Sequence, residues 1–394
     1  MNKDKGQKGI ISKRKGINVL NLKRIILIFL IFFIFTFQFS SCQLPGVSID
    51  VPGTNDSVNP FMFHVFSAGH NEIMGAGYAY DLKEDLNENM EWTAPCYFWS
   101  TIEKSDNEFD WSELDDFVSS YSGKYRVINL GPEWMPGGGG DFYMAGDIPL
   151  WIENQYSNPE LKKNYQELIE AIVSRYKDDV FMWWIGLEVN LGGDGLSWVE
   201  WKEWLKWQVD IIKKIDSETR VAISFGSWED YHESIPLNAI HEIDAIEELV
   251  NQDVEFEVVA IEYHYGTLQE GGIDSLEDAL YDLKSTGKEI FLWEIFYPGD
   301  TDSEYQDYWS WDYPPVGGYS EEWQAEQLYQ TLRLSFEDEQ IVGINILHFQ
   351  DLSYEDINPT DWEAGWRCHA GLVRNDGTPK EAYNVIKNYW ISVE

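Results

Sequence analysis

Two glutamates, Glu188 and Glu294, each end an apolar run: VFMWWIGLEVN over Val180 to Asn190, and KEIFLWEIFYPG over Lys288 to Gly299. A short run of this kind, aromatic and almost without charge, suits a strand buried on both faces. A carboxylate at its C-terminal end lies where α/β barrels and open α/β sheets place their reactive groups. For either acid alone, a solvated side chain where a strand surfaces is an equally good account. The same pattern at two strand ends favours chemistry. Two carboxyl groups facing each other across a barrel mouth can divide the work of breaking a glycosidic bond. One, kept protonated by apolar surroundings, donates to the leaving oxygen, and the other attacks the anomeric carbon. A separation of about 5 Å implies retention of configuration, and a wider one inversion.

The elements that must position these acids follow from the periodicity. Extended patterns fall near Phe61 to Phe66, Pro95 to Trp99, Tyr125 to Leu130, Val180 to Leu187, Arg220 to Phe225, Val254 to Tyr265, Glu289 to Trp293 and Ile341 to Phe349. Helical patterns alternate with them near Gly75 to Asn87, Trp111 to Ser120, Pro159 to Tyr176, Ser197 to Ile215, His241 to Val250, Leu276 to Ser285, Ser320 to Phe336 and Pro379 to Trp390. Asn158-Pro159 supplies an N-cap and a proline at the first helical position, and Ser320-Glu321-Glu322 puts acids into a first turn. Strand followed by helix eight times predicts a (β/α)8 TIM barrel. An open doubly wound sheet is the rival, but no GxGxxG follows the first strand. The run Gly137 to Gly140 lacks the Lys-Ser/Thr of a phosphate loop and reads as a flexible βα-loop. Trp198, Trp201, Trp204 and Trp207 recur every three residues on one helix as a packing stripe.

The N-terminus differs from the rest. Residues 1–41 carry a basic stretch followed by Ile25 to Phe39 without charge, the pattern of an export signal. It ends in Phe39-Ser40-Ser41-Cys42, similar to a bacterial lipobox, which makes Cys42 the expected lipidation site. An uncleaved anchor is the alternative, at the short edge of what spans a bilayer. Residues 42–60 have the Pro, Gly, Ser and Asn of a flexible tether, and 61–394 form the barrel. The expected location is extracytoplasmic, attached to the cell membrane.

The first 41 residues hold eight of the chain's 28 basic residues and one of its 69 acids, so the remainder carries a net charge near −48. So acidic a surface repels phosphate backbones, which argues against nucleic acid and suits a neutral substrate. Solubility accounts for most individual acids. Apart from Cys42, only Cys96 and Cys368 remain, enough for one bridge in an oxidising compartment but not a disulfide framework. With no CxxC or HExxH pattern, no structural zinc is expected.

Four phrases resemble the clan A glycoside hydrolases. YFWSTIEKSDNEFDWSELDDFV, Tyr97 to Val118, looks like that clan's second strand and following helix. SRYKDDVFMWWIGLEVN, Ser174 to Asn190, is similar to its acid/base segment RYKD...W-x-x-x-NEPN. IFLWEIFYPG, Ile290 to Gly299, resembles the nucleophile strand, and HAGLVRNDGTPKEAYNVI, His369 to Ile386, its common ending. The resemblance implies Glu188 as general acid/base and Glu294 as nucleophile in a retaining double displacement, with no metal or organic cofactor. It also implies an aromatic or imidazole partner for the nucleophile on strand six, for which Tyr263 and His264 are preferred over Tyr265.

Two departures stand out. The clan has Asn immediately before the acid/base, bonding the sugar 2-hydroxyl, where this chain has Leu187. The Trp expected near the end of strand eight is replaced in GINILHFQD by Leu347, His348 and Phe349. Candidate sugar contacts are Asn190, Trp99, Trp134, Tyr263, His264, His348 and Trp366, joined by Trp309 and Trp311 in the long aromatic loop Tyr297 to Tyr319. The expected function is a retaining glycosidase acting on a neutral or weakly charged poly- or oligosaccharide. A transglycosylase uses the same two glutamates. A catalytically inactive glycan-binding barrel is the alternative that Leu187 suggests.

Overall fold

The computed structural model describes residues 61–65, 79–86, 88–93, 99–131, 149, 151, 159–191, 198–227, 239–264, 273–300, 318–353 and 368–393. The signal, Cys42 and the tether lie outside them. In chain order the elements are β1 Met62–Val65, α1 Tyr80–Glu84, β2 Met90–Thr93, α2 Trp99–Ile102, β3 Glu103–Ser105, β4 Glu108–Phe109, α3 Ser112–Ser120, β5 Tyr125–Asn129, α4 Pro159–Tyr176 and β6 Met182–Ile185. There follow α5 Trp198–Ile215, β7 Arg220–Gly226, α6 Glu242–Asn251, β8 Val258–His264, α7 Ile273–Ser285, β9 Glu289–Phe296, α8 Glu321–Glu337, β10 Ile341–Ile346 and α9 Glu381–Val393. No helix among the described residues is long and apolar enough to cross a membrane.

Eight parallel strands run in the order β1-β10-β9-β8-β7-β6-β5-β2, a nearly closed TIM barrel, and β3 and β4 form a separate antiparallel pair. The seam lies between β1 and β2, which share no strand ladder among the described residues. A side chain stands in for the ladder there: Phe63 N–H donates to Asn89 Oδ1 at 2.8 Å, and Asn89 Nδ2 donates to Phe61 O at 3.0 Å. The second strand is not where the hydrophobic run places it. The strand is Met90–Thr93, and Trp99, expected at a strand end, opens the helical turn α2. MEWT has only two apolar residues, whereas PCYFW is nearly continuous; the ladder with β5, Met90 opposite Tyr125 through Thr93 opposite Ile128, decides the matter.

Inside the barrel, bulky side chains from some strands fill the space left by small ones on others. Trp184 of β6 and Trp293 of β9 lie with ring centroids 4.8 Å apart, Trp92 packs 5.2 Å from Trp293, and Ala222 and Ala260 leave them room. Gly343 makes space too, since a Cβ there would stand 2.5 Å from the Phe291 ring and 2.7 Å from Met62 O. Outside, the Trp stripe of α5 packs as its spacing predicts. Trp201 is buried, and Trp204 and Trp207 flank Tyr165 of α4 at 6.0 and 6.4 Å, with the Lys162 ammonium 4.5 Å from the Trp207 ring. The Ser320 hydroxyl caps α8 by accepting from Trp323 N–H at 3.1 Å.

Candidate active site

Glu188 lies just past β6 on a sharply turned backbone. Gly186 and Glu188 both take left-handed φ, +70° and +49°, and Val189 N–H reaches across to Ser224 O of β7 at 3.1 Å. The acid is 4% exposed. Room for it comes from Gly226, where a Cβ would stand 3.1 Å from Glu188 Oε1 and 2.5 Å from the Leu191 side chain. Asn190 fastens this turn. Its Nδ2 donates to Gly226 O at 2.9 Å and Ile240 O at 3.1 Å, and its Oδ1 accepts from Gly226 N–H at 2.8 Å. Expected as a sugar contact, Asn190 is instead wholly buried with its amide committed to backbone.

Glu294 is set by a bulge. From Leu292 to Ile295 β9 advances three residues while β10 advances two, from Ile344 to Ile346. Against β8, Trp293 to Phe296 faces only Glu262 to His264. One extra residue is therefore accommodated on β9, with Glu294 at φ +57°. Such an insertion re-aims the side chain at that point of the strand. The indoles of Trp293 and Trp184 pack in the barrel core beside these strand ends.

Between the two acids stands a third, which the sequence did not single out. Glu262 of β8 is 2% exposed, pairs with Gly226 on one side and Trp293 on the other, and accepts a hydrogen bond from Ser224 Oγ at 3.2 Å. Burial pushes its carboxyl well above the usual carboxylate range. The charges of Glu188 and Glu294 and a hydrogen bond with Glu188 push the same way, against the Ser224 hydroxyl. Glu262 thus joins both strand-end acids in one electrostatic unit. The available signal was alternation: Val258 and Ala260 belong to the barrel core, so Glu262 shares their face.

Alternation also relocates Tyr263. It occupies the opposite face of β8, and its hydroxyl donates to Ser275 O of α7 at 3.4 Å, so it packs against a helix and cannot orient a nucleophile inside the barrel. Trp99 is likewise corrected: it is fully buried, donates to Glu103 Oε2 at 2.7 Å and packs on Tyr165, leaving no face for a sugar. His348 is buried just beyond β10, and Leu187 belongs to the interior core at 8% exposure. Trp134, Trp309, Trp311, Trp366 and the side chain of His264 lie outside the described residues.

Among the described residues, one group of potential metal ligands stands together: His64, Glu88 and Glu91, at the barrel seam. Lys83 lies 3.6 Å from Glu88 and Lys124 lies 3.1 Å from Glu91. Burial raises the Glu91 carboxyl, but His64 and Lys124 outweigh it and hold the group at about 2. Cations already compensate both acids, so the group is best described as an ion-pair network.

No family model and no curated protein matches the chain. Solved structures share its fold. Xylanase 10B from Thermotoga petrophila RKU-1, in complex with xylobiose, is 15% identical over 85% of this chain and 95% of that one, with a TM-score of 0.58. A GH10 endoxylanase retrieved from a sugarcane soil metagenome is 15% identical over 84% and 97%, at 0.59. A GH10 xylanase from Bispora sp. MEY-1, with xylobiose, is 17% identical over 83% and 96%, at 0.58.

Proposed function

We propose that this chain is a retaining clan A glycoside hydrolase that cleaves O-glycosidic bonds in a neutral or weakly charged poly- or oligosaccharide. Glu188 is the general acid/base and Glu294 the nucleophile. The observation that carries this reading is the backbone at the two acids: of four non-glycine residues with left-handed φ among those described, two are Glu188 and Glu294. Such strain persists where the surroundings over-determine it, and it clusters at functional sites. The xylobiose held by two structural neighbours supports an uncharged sugar chain as the substrate class. In the first step Glu294 attacks the anomeric carbon while Glu188 gives its proton to the leaving oxygen. In the second, water attacks the glycosyl ester as Glu188 takes the proton back. This chemistry calls for no cofactor.

Leu187 favours a second reading, a catalytically inactive glycan-binding barrel, because an apolar side chain stands where the clan places a hydrogen-bonding Asn. Assaying released reducing ends on a panel of polysaccharides, and an activated aryl glycoside, separates the two. Wild-type turnover that falls by about 10³-fold or more in Glu294→Gln supports the hydrolase. Binding without turnover supports the binder, and turnover unchanged in Glu294→Gln removes the assignment. The sequence further supports export and attachment through Cys42. Cys42→Ala is expected to move the protein from the membrane to the soluble extracytoplasmic fraction, and an unaltered distribution contradicts lipidation at this residue.

A further inference from the structure

We infer that Glu262 is a third, uncharged carboxyl of the site, whose O–H donates to Glu188 and holds it with its own proton directed at the leaving oxygen. The inference rests on the hydrolase reading above for its catalytic consequence, but its geometry stands apart from it. A carboxylate is an acceptor only, so two carboxyl groups share a hydrogen bond only if one carries the hydrogen. Glu262 sits in register with Gly226, and a Cβ on Gly226 would stand 3.1 Å from Glu188 Oε1, so the two carboxyls are neighbours across β7. The neighbouring strands meet Glu262 with a hydroxyl from β7, Ser224, and with the carboxyls of Glu188 beyond β6 and Glu294 on β9. The charged groups acting most strongly on it are therefore both acids. At 2% exposure, solvent does little to support an anion.

The role follows from what happens at Glu188. As the glycosidic C–O bond breaks and the Glu294–carbon bond forms, the Glu188 proton leaves with the aglycone oxygen and Glu188 becomes a carboxylate. The hydrogen bond from Glu262 becomes charge-assisted at that moment and strengthens. In the second step water gives its proton to Glu188, its oxygen bonds to the anomeric carbon, and the ester to Glu294 breaks. Glu262 keeps its hydrogen throughout. It is a positioning residue, acting on the sugar only through Glu188.

Two variants test this. Glu262→Gln keeps the shape and an N–H donor, and Glu262→Ala removes both. For substrates with poor leaving groups, kcat in Glu262→Ala should fall about tenfold to a hundredfold with KM little altered. The loss should be much smaller for an activated aryl glycoside that needs no acid, and Gln should rescue most of it. The alkaline limb of the pH profile of kcat/KM should move to higher pH in Glu262→Ala, because the Glu188 carboxylate loses the donor that stabilises it, and Glu262→Gln should restore most of that shift. Equal losses on both substrate types and an unmoved profile would overturn the positioning role. Infrared difference spectra between wild type and Glu262→Gln at neutral pH read the proton without turnover. A protonated-carboxyl stretch in the wild type alone is expected, and a carboxylate band in its place refutes the inference even if no substrate is found. Absence of any glycosidase activity alongside that stretch would instead count against the hydrolase reading.

Discussion

Glu188 and Glu294 pay twice for their positions, once in left-handed backbone and once in proximity to a third acid. A non-glycine residue so placed costs roughly 1–3 kcal/mol. Asn enters that region more readily and carries no charge. Glu294→Asn should therefore raise the melting temperature by about 2 °C while abolishing turnover, which calorimetry checks; a lower melting temperature would mean the acid's own contacts outweigh the strain. Both acids were legible because each ends an apolar run. Glu262 was not, because it sits mid-strand in VVAIEYH beside a tyrosine and a histidine more commonly associated with sites, and strand parity sets apart only the tyrosine. Asn190 was misread for another reason: its partners, Gly226 and Ile240, lie 36 and 50 residues away, beyond any local pattern.

Among the elements, α4 was legible to the residue, Pro159–Tyr176, because a proline fixes its start. The second strand was not, because its place at the barrel seam, with Glu91, Trp92 and Thr93 only half-buried, demands little hydrophobicity, and its neighbour PCYFW offers more. That strand also borders the barrel's weakest closure. At the seam, Asn89 supplies the hydrogen bonds that a ladder would otherwise make. Asn89→Ala leaves Phe63 N–H and Phe61 O without these partners, at a cost of about 1–3 kcal/mol. Amide hydrogen exchange in Met62–Val65 should accelerate while β8 stays protected. Uniform acceleration across the barrel would mean that the seam does not open independently.

At the scale of the molecule, the alternation of eight strands with helices made the barrel legible, since parallel strands need crossovers and the crossovers are helical. What could not be read was closure and convergence: which strands meet at the seam, and that β6, β8 and β9 bring three acids together. These depend on register, and register is a property of pairs of strands rather than of any one. The extra residue in β9 shows what that means. The one residue between Trp293 and Ile295 is Glu294 itself, so removing it would relieve the register shift that β9 shows there against both β8 and β10, at the loss of the acid. The irregularity therefore bears on where this acid points and not on the pairing of the sheet, so the residues of β9 that close the barrel and the residue that completes the acid cluster are different ones.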